Sequence, residues 1–180
     1  TTIRLGAGAG FSGDRIDPAV DLAQRGDLDF LIFECLAERT IAQAQLDRLT
    51  NPEGGFDPYL EARMRAVLPI CHANGPRIIS NMGAANPLAA ARYVTKLATE
   101  LGLAGLRIAA VTGDDVLAYC RAALPDLDNG LTFSDIAPRA VSANAYIGAG
   151  PIVQALENGA DVVLTGRAAD PALFLAPLIH

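Results

Sequence analysis

Hydrophobic residues collect in five short runs, at positions 3–5, 30–33, 78–79, 108–111 and 162–164, and each run ends abruptly in small, polar and charged residues. A helical pattern follows every one of them, often opened by a cap-and-proline pair: Asp17-Pro18, Asp57-Pro58, Asn86-Pro87 and Asp170-Pro171. The pattern predicts strands near 3–7, 29–34, 77–82, 106–112 and 161–165, with a sixth near 139–145. It predicts a first helix with Asp17 as N-cap, stopping at Gly26, and a second over 38–49. A third opens at Asp57-Pro58 and runs to Cys71, and a fourth opens at Asn86-Pro87 and runs to Gly102. A fifth opens at Asp114 and passes through Arg121, before a loop over 125–129. A sixth starts at Gly148-Ala149-Gly150-Pro151 and a seventh at Asp170-Pro171.

Strand, helix, strand at this spacing implies parallel crossovers, so the predicted fold is a single α/β domain over residues 1–180. The first choice is an open parallel sheet with helices on both faces, a Rossmann-like three-layer arrangement, and the alternative is a partial (β/α) barrel. In either case the strand C-termini share one edge. The polar clusters that follow the strands would therefore converge on one crevice, the usual ligand site of such folds.

Composition narrows what that crevice could bind. The chain has 180 residues, 51% of them hydrophobic, enough for one substantial core. A formal charge of -6 and a pI near 4.8 give no general attraction for nucleic acid or for anionic membrane surfaces. A small-molecule substrate is expected instead. Of the 14 basic residues only Lys96 is lysine, which favours planar arginine clamps for carboxylate or phosphate over Schiff-base chemistry. Cys35, Cys71 and Cys120 are odd in number and widely spaced, which predicts free thiols, a reducing cytoplasmic setting and no metal.

Within the clusters, Gly8, Gly10 and Gly13 fit G-x-G-x-x-G after the first strand, with Glu34 closing the second. The fit to a dinucleotide fingerprint is incomplete, because the Asp17-Pro18 helix start lies beyond Gly13 and Asp14 would repel a pyrophosphate. NAD(P) is thus a secondary expectation, and a glycine-rich loop for some other ligand the primary one. Glu34 follows four apolar residues and must face the crevice or be paired, since an unpaired buried carboxylate is costly. It is the first candidate for a general base, with Asp114 and Asp170 behind it. Asn81 and Asn144 suit the holding of a carbonyl, and Asn86 either caps the helix at Pro87 or joins them. Arg39 and Arg167 are candidate anion clamps. The bland reading of Arg167 is a bridge to Asp170 across the tight turn, with Asp170 capping the last helix.

Four blocks extend this reading: Gly-Ala-Gly-Ala-Gly-Phe-Ser-Gly-Asp-Arg at 6–15, Phe-Glu-Cys-Leu-Ala-Glu-Arg-Thr at 33–40, Asn-Met-Gly-Ala-Ala-Asn-Pro at 81–87 and Gly-Ala-Asp-Val-Val-Leu-Thr-Gly-Arg-Ala-Ala-Asp-Pro at 159–171. Through them the chain resembles the N-terminal region of the acyclic terpene utilisation family. The resemblance implies a longer architecture, often with a small C-terminal ferredoxin-like domain, and a bacterial catabolic setting among acyl-CoA enzymes acting on branched acids. The expected activity is hydratase- or lyase-type proton transfer at a thioester, with no cofactor. Glu34 would be the base, Asn81 and Asn144 would hold the carbonyl, and Arg39 or Arg167 would bind an anionic group. The rivals are a nucleotide-binding oxidoreductase and a non-catalytic subunit completed by a partner chain. A homo-oligomer or a partner subunit is expected.

Overall fold

A computed structural model of the chain describes residues 2–120 and 130–180. Five parallel strands form one open sheet: β1 (Leu5–Ala9), β2 (Phe30–Phe33), β3 (Arg77–Ser80), β4 (Ile108–Val111) and β5 (Val162–Thr165). Their spatial order is β1-β2-β3-β5-β4, and the sheet does not close into a barrel. β2 and β5, Phe-Leu-Ile-Phe and Val-Val-Leu-Thr, are buried on both faces, as continuous apolar runs in a parallel sheet must be. β4 is an edge strand, and its first three residues are only half-buried.

The winding explains the layers. From β1 through β3 to β4 the chain always steps the same way, so α1 (Asp17–Arg25), α3 (Leu60–Asn74) and α4 (Pro87–Glu100) share one face. There Leu31, Phe33, Ile78, Val162 and Leu164 pack against Ala19, Met64, Leu68 and Val94. The step back from β4 to β5 reverses direction and puts α6 (Gly150–Glu157) on the other face beside α7 (Asp170–Ile179), over Ile32, Ile79 and Val163. α2 (Glu38–Thr50) joins neither layer, and its Ile41 and Ala44 pack on Ala84 and Ala85 in the loop leaving β3. Neighbouring strands β3 and β5 thus send their chains to opposite faces, which opens a crevice at their carboxyl ends.

Several sequence expectations need correction. The segment 139–145 holds no sixth strand, only a single antiparallel bridge between Asp115 and Asn144. No α-helix opens at Asp114. A 3₁₀ turn, Leu117–Tyr119, follows instead, because the Asp114 carboxylate is turned inward rather than capping, as described below. Arg121 and the predicted loop at 125–129 lie outside the described residues. A short α5 (Phe133–Ile136), with Asp135 taking the Thr132 N–H and hydroxyl, was not anticipated. Asp17 is the first helical residue of α1 rather than its cap, and its carboxylate is drawn away by Arg15. The third helix begins at Leu60, because Asp57 accepts the Tyr59 N–H at 2.8 Å and holds a turn first. Asn86 does cap α4, accepting from the Ala89 N–H.

Candidate functional site

The strand ends are stitched to one another by side chains. Glu34, one residue past β2, accepts through Oε1 from the Leu36 N–H at 3.0 Å and from the Asn81 amide at 2.9 Å. Asn81, fully buried after β3, returns the tie by accepting the Cys35 N–H at 2.7 Å. Both ends of its amide are therefore engaged within the protein. Between β5 and β4, the buried Asp114 carboxylate accepts the Arg167 N–H at 2.8 Å and the Asn144 amide at 2.9 Å. Gly166 makes this possible. A Cβ there would lie 2.4 Å from the Asp114 carboxylate.

Arg167 spans the crevice from β5 to the start of α2. Its guanidinium donates to the Leu36 carbonyl, to Glu38 at 2.6 Å and to the Tyr146 hydroxyl at 2.6 Å, and it stacks 4.6 Å from the Tyr146 ring centroid. Only 7% of the Arg167 side chain is exposed, against 81% for Glu38. The Glu38 carboxyl is held below its usual range by its own backbone N–H, by Tyr146 and by Arg167. The expected bridge to Asp170 is not what forms. Asp170 stands exposed at the first position of α7, and Arg167 pairs with Glu38, which the loop after β2 carries within reach.

The glycine-rich loop turns on Asp14. Its carboxylate accepts the Gly10 N–H at 2.7 Å and the Phe11 N–H at 3.1 Å, so the two donors that a phosphate would seek are already matched. Gly8, Gly10, Asp14 and Arg15 line a cleft of about 450 Å³ together with Glu34 and Phe174 of α7. Gly13 is exposed and does not line this cleft. Arg39 is exposed in the first turn of α2, and the Asn86 amide is spent on the carbonyls of Pro52 and Gly54. The structure therefore gathers Gly8, Gly10 and Glu34 around one cleft. Asp114, Asn144 and Arg167 form a second group beside it, and Asp170, Arg39, Asn86 and Gly13 stand apart from both.

The profile of the family described as "Acyclic terpene utilisation family protein AtuA" matches residues 3–180. The chain belongs to the acyclic terpene utilisation family. No curated protein and no solved structure matches it. The four sequence blocks of this family member fall where they matter, because three of them leave β1, β2 and β3 and the fourth carries β5 and its exit.

Arg63 of this acyclic terpene utilisation protein was not among the candidates read from the sequence. It sits on α3 with no exposed surface and donates to the carbonyls of Ser12 at 2.7 Å and Asp14 at 3.0 Å, fixing the glycine-rich loop from below. Asp57 lies 3.6 Å from its Nη1. Burial pushes the Asp57 carboxyl up, and hydrogen bonds from Ser12 and Tyr59 and the charge of Arg63 oppose that push. One signal was available, the pairing of an arginine with an otherwise apolar face of α3, where Leu60, Met64, Val67 and Cys71 are buried. Cys35 next to Glu34 is buried, and its thiol is pushed up to about 12, chiefly by desolvation, which disfavours the reactive thiolate. Among the described residues no group of three or more His, Cys, Asp or Glu could hold a metal ion, and no helix is long and apolar enough to cross a membrane.

Proposed function

We propose that this protein is an enzyme of branched-chain or terpenoid acyl-CoA catabolism in which Glu34 moves a proton at the carbon alpha to a thioester, as hydratases and lyases do. The observation that carries the reading is the setting of Glu34. One carboxylate oxygen is fixed by the Leu36 N–H and the Asn81 amide, and the group fronts a cleft large enough for a small acyl unit. A base held by one oxygen keeps the lone pairs of the other for the reacting proton and loses little orientation when substrate arrives. In the step itself the C–H bond breaks, the proton passes to Glu34 Oε2, and the electron pair moves onto the thioester carbonyl as an enolate. Asn81 acts on Glu34 as a positioning residue. Arg15, at the cleft and paired with exposed Asp17, is the cation best placed for the anionic end of the substrate.

The oxidoreductase reading would need the Gly10 and Phe11 N–H groups for a pyrophosphate, and Asp14 occupies them. Alpha-proton exchange tests the preferred reading without requiring the full reaction. Incubated in D₂O with 3-methylbutanoyl-CoA, the parent protein should incorporate deuterium at the alpha carbon. Glu34→Gln should fold normally and exchange at least ~100-fold more slowly, the usual contribution of a positioned base. Equal exchange by the variant would remove Glu34 from the mechanism. No exchange by the parent would favour a subunit whose site a partner chain completes.

A further inference from the structure

The two edges of the sheet are built differently. β1 carries two glycines and a register shift between Ala7 and Ala9, features that spoil an edge for further pairing. β4 has none of these defences. Ile108-Ala109-Ala110-Val111 holds no charge, no proline and no bulge, and it keeps a regular one-to-one register with β5, the one strand that pairs with it among the described residues. The Arg107 carbonyl accepts from the amides of Asp161 and Val162. By the two-residue period of a strand, the backbone groups of Arg107, Ala109 and Val111 therefore face β5, and those of Ile108 and Ala110 face outward. The side chains alternate as well, with Ile108 in the layer under α4 and with Ala109 and Val111 packed toward α6. A cavity of about 410 Å³ lies beside this edge, between Ala109, Val111 and the α6 residues Pro151 and Gln154.

We propose that β4 is a self-pairing edge, where a second copy of this chain adds its own β4 antiparallel about a two-fold axis perpendicular to the sheet, joining two five-stranded sheets into one. In the register centred on Ala110, the outward N–H and C=O of Ala110 answer the same groups of the other copy. Ala109 then stands opposite the partner's Val111. The axis keeps α6 of both copies on one face, so that valine enters the cavity, where the small Ala109 leaves room. Charge favours the same arrangement. Arg107 is exposed before the strand and makes no ion pair among the described residues, and exposed Asp115 follows the strand, held only at 3.8 Å by Arg48. Antiparallel alignment brings each Arg107 to the end where the partner's Asp115 lies, whereas parallel addition would set like beside like. A four-residue strand makes a small interface, so the association is weak and the chain is single at high dilution. The inference does not depend on Glu34 being a base.

Sedimentation of the full chain from ~5 μM to ~1 mM tests the assignment. The parent should pass from monomer toward dimer across that range. As the dimer fills, the Ile108 and Ala110 amides should exchange more slowly, and the Ala109 amide, which faces β5, should change less. Ala110→Pro removes an outward N–H and no bond of the single sheet, and it should weaken association at least about tenfold. Arg107→Glu should weaken it as well, and adding Asp115→Arg should restore it, a comparison that holds even if the proline variant fails to fold. A parent that stays monomeric to ~1 mM, parent-like association in folded Ala110→Pro or in Arg107→Glu, or no recovery in the doubly reversed chain would each overturn the proposal.

Discussion

The Cα of Gly166 lies so close to Asp114 that a single methyl group would displace the carboxylate. Gly166→Ala should therefore break the bonds from Asp114 to the Arg167 N–H and the Asn144 amide together. The expected cost is roughly 1–3 kcal/mol, the range for leaving buried polar groups unmatched, read as a lower urea midpoint. The cysteines give a second residue-level prediction. Folding holds the Cys35 thiol up to about 12 and the Cys71 thiol up to about 11, both by burial, against 9.0 for a free thiol. As pH rises above 9 the unfolded chain releases protons that the folded chain retains, so stability must fall across that window. Urea midpoints measured from pH 8 to 11 should show the decline, and the double variant Cys35→Ala, Cys71→Ala should flatten it. At pH 8 only half-buried Cys120 should react quickly with a thiol reagent, and all three should react in denaturant.

Between elements, the decisive link is the one from α3 to the glycine-rich loop through Arg63. Arg63→Ala would leave the Asp57 charge buried without its counter-charge, at a cost of about 3–5 kcal/mol, and Asp57→Asn in the same chain should recover part of that loss in a urea titration. Hydrogen exchange at residues 10–15 should speed up in the single variant, because the loop carbonyls lose their anchor. The elements themselves were largely readable in advance. Apolar runs flanked by turn residues placed all five strands, and proline-led caps placed α1, α4 and α7 within a few residues. The reading failed where side chains prefer a tertiary partner to their local one. Asp114 reaches to Arg167 instead of capping a helix, and 139–145 has strand-like composition but pairs only at Asn144. For the candidate site, Glu34 and the glycines could be placed by their position after a strand. The engagement of Asn81, Asn86 and Arg167 with protein groups could not, because their partners lie 46, 34 and 131 positions away in the chain.

Across the whole molecule, stability should follow the burial of the strands. β2, β3 and β5 lie inside the sheet, whereas β1 and β4 are its edges. Native-state hydrogen exchange should find the slowest amides in 30–33, 78–80 and 162–165, with 108–110 exchanging faster because that strand is only half-buried. Equal protection of β4 and β2 would contradict this ranking. The reversal in winding that opens the crevice also orders events in time. Among the described residues β4 pairs with one strand, and that neighbour, β5, follows it in the chain. During synthesis β1, β2 and β3 can pair as they emerge, but residues 108–111 have no strand to join until residue 165 is made. The β4–β5 edge must therefore wait through more than 50 residues of chain, ~3–10 seconds at ordinary elongation rates. Over that interval a nascent chain exposes both the side of β3 that will receive β5 and the whole of β4, which makes this the period when a chaperone would matter most.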